Sequence, residues 1–179
     1  MDPVDGTNNF VHGSPDYAVM VAELRRGEVV RSWILQPEHD VTFVAERGAG
    51  AWRNGVRMPL LDPRPDVERW RGTAMQPLLR NRKLGDLPRI GVTRSCAGVD
   101  YSLVACGKLD FVVFAHSKVW DHAPGALLVS EVGGATVSES GARYQSIHSD
   151  RWLLCAASIG MAQGVSERIG RELSPIDAR

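Results

Sequence analysis

Between Tyr17 and Gly55 the chain has room only for short strands joined in sequence. Apolar and β-branched residues run from Tyr17 to Leu24 (YAVMVAEL), from Val29 to Leu35 (VVRSWIL) and from Val41 to Ala45. The links between them are an Arg26-Gly27 turn and a Pro-Glu-His-Asp turn, far too short to hold a crossover helix. The strands must therefore pair antiparallel, as a meander. Gly48 and Gly50 interrupt the run, and Asn54-Gly55 is a strong type I′ hairpin signal. The predicted meander occupies about residues 15–60.

Beyond it the pattern changes. Residues 61–72, with Pro63 and Pro65 among alternating acids and bases, read as a mobile surface loop. From about residue 73 to 179 strands and helices alternate. Ile90–Val92, Asp110–Ala115 and Trp152–Ala157 read as strands; Val99–Cys106, Pro124–Val132 and Ile159–Leu173 read as helices. Pro124 sits near the start of its helix and Gly133-Gly134 stops it. The expectation is one domain, an α/β (α+β) layered sandwich of helices and sheets.

Composition narrows the partners. Lys plus Arg number 21 and Asp plus Glu number 21, a formal net charge of zero. A nucleic-acid wrap or a polybasic membrane anchor needs a positive excess, so neither partner is expected. No stretch reaches the roughly 18 apolar residues of a membrane span. The first residues have neither a basic nor an apolar signal region. Three widely spaced cysteines form no CxxC pair, which predicts free thiols and a cytoplasmic location.

Two segments carry chemistry. The first is Asp2-Pro3-Val4-Asp5-Gly6-Thr7-Asn8-Asn9-Phe10. Its two carboxylates, three apart, converge on one hard cation if the backbone bends, as Pro3 and Gly6 allow. Mg²⁺ takes such oxygen ligands and keeps several waters. The alternative is an Asp-rich turn with a helix cap. No closing Glu of a calcium EF-hand loop follows, since Gly13 and Ser14 stand there. The second segment is Val119-Trp120-Asp121-His122-Ala123-Pro124-Gly125, running to Glu131-Val132-Gly133-Gly134. There Asp121 either caps a helix, worth about 1 kcal/mol, or faces a metal beside the helix start.

Taken together, the two segments resemble the two signature motifs of the inositol monophosphatase family, Mg²⁺-dependent, lithium-sensitive phosphomonoesterases. Glu46-Arg47-Gly48-Ala49-Gly50-Ala51-Trp52-Arg53-Asn54-Gly55 resembles that family's glycine-rich turn, and Arg94-Ser95 and Leu103-Val104-Ala105 its helix before the second motif. The resemblance implies that Asp2, the Val4 carbonyl, Asp5 and Asp121 bind two or three Mg²⁺ ions, with Asp5 bridging two of them. It implies that Thr7 orients the attacking water, with Asp5 beside it in the catalytic step, and that the amides of Gly6 and Thr7 hold the phosphate. The substrate is then a small phosphorylated metabolite of sugar, inositol or histidinol-phosphate type, and the protein a homodimer. No Ser, Cys or His nucleophile is expected. His12, His39, His116, His122 and His148 have no metal-ligand spacing, and a neutral packing role is expected for His122.

Two departures qualify the resemblance. Family inositol phosphatases carry a substrate-binding glutamate seven residues before the second-motif Asp; here that position is Phe114. Ala97, Gly98 and Asp100 are expected to line the leaving-group side, with a helix cap the alternative for Asp100. His116 and Lys118 also fall within reach of substrate. The family's chains, moreover, begin well before the first motif, with an acidic segment that supplies a further ligand. Here Met1 directly precedes Asp2, so an N-terminally shortened chain is expected: a mis-set start, a fragment or a degenerate copy. Weaker metal binding and lower turnover would follow. The rival expectation is a catalytically impaired remnant that binds metal or phosphate, or only contributes an oligomer surface.

Overall fold

The computed structural model describes residues 1–76, 87, 90–146 and 151–170. The meander forms as β2 (Ala18–Arg25), β3 (Glu28–Gln36), β4 (Val41–Glu46), β5 (Gly50–Arg53) and β6 (Val56–Arg57). A short β1 (Asp2–Asp5) joins its edge, giving a six-stranded antiparallel sheet in the order β1-β2-β3-β4-β5-β6. Arg26 and Gly27 both take positive φ, 53° and 81°, as do Asn54 and Gly55, 48° and 77°. Those signs are what a type I′ turn requires. Alternation fixes which face is buried: Val41, Phe43 and Ala45 are inward, with Thr42, Val44 and Glu46 less buried.

The second sheet is mixed, in the order β10-β11-β9-β7-β8. Its strands are β7 (Gly72–Ala74), β8 (Ile90–Val92), β9 (Phe111–Phe114), β10 (Ala135–Ser138) and β11 (Leu153–Ala156). β7 runs parallel to both β8 and β9, while β11 runs antiparallel to β9 and β10. Every residue of β9, β10 and β11 is buried, because both faces of the sheet are covered. Val112, Phe114, Leu153 and Cys155 join the core shared with the first sheet. Phe111, Val113, Leu154 and Ala156 join a second core with Met161, Val165 and Ile169.

Four helices complete the described residues: α1 (Thr7–Val11), α2 (Ala97–Ala105), α3 (Val119–Glu131) and α4 (Ile159–Gly170). Helices α2 and α3 pack on each other and touch strands of both sheets, while α4 packs on β10 and β11. The layers are sheet, helix pair, sheet, helix. This is the layered architecture expected, and none of these helices is long and apolar enough to cross a membrane. The expected end of the last helix, at Leu173, lies outside the described residues.

Three local expectations need correction. Helix α3 begins at Val119, five residues before Pro124, so Asp121 lies in its first turn and the flanking cap is Lys118. Segment 61–71 is tied down rather than loose. Arg64 pairs with the buried Asp110 at 2.5 Å, Asp110 also accepts from the Arg71 amide at 2.7 Å, and Trp70 is buried. Strands β1, β7 and β10 were not predicted; each has only three or four residues.

The α2–α3 contact depends on a missing side chain. A Cβ on Gly125 would meet the Tyr101 ring at 2.2 Å. Gly125→Ala is therefore expected to destabilise the fold by about 1–3 kcal/mol through overpacking. Gly160→Ala, in open space on α4, should instead stabilise by up to about 1 kcal/mol. Urea unfolding of the two variants beside the parent chain checks both signs.

Candidate metal centre

The first motif folds as strand, turn and helix. β1 ends at Asp5, Gly6 takes φ +77°, and α1 begins at Thr7. A Cβ on Gly6 would meet Asp16 O and Cys96 Cβ at 3.0 Å each, so the turn needs glycine for space as well as for its left-handed backbone. Asn9 fastens α1 to its surroundings, donating through Nδ2 to Asp16 O at 2.6 Å and to Arg94 O at 2.7 Å. The Thr7 hydroxyl donates to the Val4 carbonyl at 2.8 Å.

Asp5 is the anchored member of the site. Its carboxylate is buried, and Oδ2 accepts from the Gly98 amide at 2.7 Å and the Cys96 thiol at 3.1 Å. Burial raises its pKa, opposed by those donors and assisted by the nearby Asp2. The thiol itself stays protonated, held up by burial and by the Asp5 charge, so Cys96 is a donor and not a nucleophile. Asp121 reaches the same place from α3: Asp2, Asp5 and Asp121 each bring a carboxylate oxygen within 4.8 Å of the other two. Burial, a hydrogen bond shared with Asp2, and the charges of Asp5 and Asp2 all raise Asp121. Acids gathered this closely repel one another when ionised, and a cation among them relieves that repulsion. Their donor set is all oxygen, which fits a hard divalent ion.

The expected substrate residues stand differently from the aspartates. Ala97, Gly98 and Asp100 are buried on α2 rather than open to a leaving group. Gly98 lets α2 approach the first sheet, since a Cβ there would meet Ala18 at 2.8 Å. Asp100 accepts from the Arg94 amide at 3.0 Å and so holds the turn entering α2, close to the capping alternative. Phe114 is 2% exposed, stacked on Tyr101 with centroids 4.9 Å apart; it is core, not pocket wall. Lys118 is exposed at the start of α3.

Sequence reading missed Cys96, and gave Gly98 and His116 to the substrate rather than to the aspartates they adjoin. Cys96 and the Gly98 amide come to Asp5 from far along the chain, and no local spacing announces that. His116, in the loop after β9, lies 3.7 Å from Asp121 Oδ2. His122 is fully buried, and burial pushes its pKa down to about 3. His148 lies outside the described residues.

The fold is that of a known group of phosphatases: the structure aligns with the Thermotoga maritima IMPase at a TM-score of 0.81 and 26% identity, covering 97% of this chain and 69% of that one. The model of the inositol monophosphatase family matches residues 1–173, and the chain belongs to that family. It is 33% identical to the Nus factor SuhB of Xylella fastidiosa over 98% of this chain and 70% of the relative. It is 35% identical to the inositol-1-monophosphatase of Rhizobium meliloti over 80% of this chain and 58% of the relative. The chain thus spans little more than half to about two thirds of the length of these relatives.

Asp100 gives a test of the wall behind Asp5. Its carboxyl is raised from 3.8 to about 7, chiefly by burial. A folded pKa above the unfolded one stabilises fully below about pH 4, and that contribution is lost as pH rises through about 7. Asp100→Asn keeps an acceptor for the Arg94 amide but removes the proton. Chemical denaturation between pH 4 and 7 should therefore show a flatter fall of stability in the variant. An unchanged slope would mean Asp100 is not buried as described.

Proposed function

We propose that the chain hydrolyses a small phosphomonoester with Mg²⁺ held by Asp2, Asp5, Asp121 and the Val4 carbonyl. The observation that carries this reading is the meeting of three carboxylates from two motifs far apart in the chain. Membership of a phosphatase family supports it. When bound, the ions would supply a water nucleophile and neutralise charge at the leaving oxygen. The protein's own share is positioning. Asp5, locked by Gly98 and Cys96, would set the place of the cluster. The Thr7 hydroxyl would orient water, and the Gly6 and Thr7 amides would hold phosphate oxygens where α1 opens. Phosphoryl transfer asks for little covalent chemistry beyond this. A cytoplasmic homodimer is the setting we infer.

Substrate preference follows from what is lacking. With Phe114 buried where the family's inositol phosphatases carry an acid, no carboxylate at that position accepts from inositol hydroxyls. A buried phenyl ring offers no replacement acceptor. Other small phosphomonoesters are thus expected to rank ahead of inositol monophosphate.

A second reading rests on the relative named a Nus factor: the chain would then act as a factor rather than as a hydrolase. Phosphate release separates the two. We expect Mg²⁺-dependent release from a panel of sugar, inositol and histidinol phosphates, inhibited by lithium and cut at least about a hundredfold by Asp5→Asn, a loss of about 2.7 kcal/mol in transition-state stabilisation. Release untouched by Asp5→Asn would remove the assigned site. Inositol monophosphate in first rank would overturn the substrate inference.

A further inference from the structure

Beside the aspartate cluster lies a second set of donors of different chemistry. His116, His122 and Asp121 each place one ligand atom within 4.8 Å of the others. His122 Nε2 is 3.3 Å from His116 Nδ1, and His116 Nδ1 is 3.7 Å from Asp121 Oδ2. The other nitrogen of His122, Nδ1, lies 3.2 Å from the hydroxyl of Tyr101. Tyr101 and His122 are both fully buried.

That arrangement is the one a metal-binding histidine uses. One ring nitrogen takes the metal, and the other donates its proton to a fixed partner that sets tautomer and ring orientation. In the tautomer that donates Nδ1–H to Tyr101, His122 keeps a lone pair on Nε2, the nitrogen 3.3 Å from His116 Nδ1. Edge contacts to Phe114 at 4.8 Å and Tyr101 at 5.9 Å between centroids hold the ring. Two nitrogens bound to one tetrahedral ion at about 2.05 Å stand roughly 3.3 Å apart, which matches the observed pair. His116, whose side chain is 36% exposed, gives access from solvent. Magnesium, which demands oxygen ligands, is the wrong ion for two imidazoles. Zinc, or another late first-row dication, is the right one.

We propose that His116, His122 and Asp121 form a second cation site, selective for Zn²⁺-like transition-metal ions, that shares Asp121 with the magnesium cluster. It uses neither Asp2 nor Asp5, so Asp5→Asn separates it from the phosphatase reading. The competing description is a plain hydrogen bond between two histidines.

The test uses the full chain and Zn²⁺ alone. Calorimetric titration should show a tight zinc site. Zinc-edge X-ray absorption of the equimolar complex should show imidazole scattering from two histidines together with oxygen. His116→Gln should weaken zinc binding at least about a hundredfold, since even the loss of an outer-shell partner costs 10–100-fold. Asp5→Asn, outside the set, should leave zinc affinity and the imidazole signature in place even as it removes Mg²⁺-dependent turnover. An oxygen-only zinc environment would overturn the proposal, with no variant required. So would unchanged affinity in His116→Gln, or loss of the zinc site in Asp5→Asn.

Discussion

The buried carboxylate of Asp5 organises everything around it. It ends a four-residue edge strand, and two donors from distant sequence, the Gly98 amide and the Cys96 thiol, hold it at one oxygen. Gly6 then turns the chain away in a left-handed conformation that would strain a larger residue, whose Cβ would also press on Asp16 O and Cys96. Because Gly98 of α2 and its cap residue Cys96 supply the donors, and α3 packs on α2, the same contact fixes where Asp121 arrives. The helix pair between the two sheets is thus a positioning device: one helix anchors the first acid, and the other delivers the third.

Electrostatically, this placement is unfavourable for the protein alone. Asp5 and Asp121 are both raised by burial and by neighbouring acids. A fold that gathered such groups for stability would have buried an Arg or Lys among them; among the described residues the cation acting on Asp121 is the exposed Lys118. Like charges held close in a partly buried place are characteristic of functional sites. The cost is offset elsewhere, by two apolar cores on the two faces of the second sheet.

The sequence made the meander and its turns legible, because those rest on local signals. Arg26-Gly27 and Asn54-Gly55 demand positive φ, and Val41, Phe43 and Ala45 alternate with less buried neighbours. Asp2 and Asp5 were legible as two acids three apart, and Asp121 as an acid beside a helix start; that the three share one site was legible only through resemblance. Strands β1, β7 and β10 escaped notice, although β8, equally short, was read at its own bounds, Ile90–Val92. The start of α3 was misplaced because proline is common at the first helical position, whereas Pro124 here sits inside the helix. Segment 61–71 looked loose from its prolines and charges, yet its order comes from one buried acid, Asp110, far along the chain. The His116–His122 pair was invisible because the β9–α3 loop, not a helical or strand repeat, brings the two rings together.

If the cluster of Asp2, Asp5 and Asp121 is a cation site, its effect on stability must change sign with the metal. Without Mg²⁺, replacing one crowded acid by its amide relieves repulsion; with Mg²⁺, the same change removes a ligand. The direct measurement is the thermal unfolding of the parent chain and of Asp121→Asn across a Mg²⁺ titration. Binding to the native state alone raises stability by RT ln(1 + [L]/Kd), about 2.7 kcal/mol at a hundredfold excess over Kd. The account predicts that Asp121→Asn unfolds at a higher temperature than the parent in chelator, and that only the parent is stabilised as Mg²⁺ is added. A variant that is less stable than the parent in chelator, yet gains as much from Mg²⁺, would contradict it.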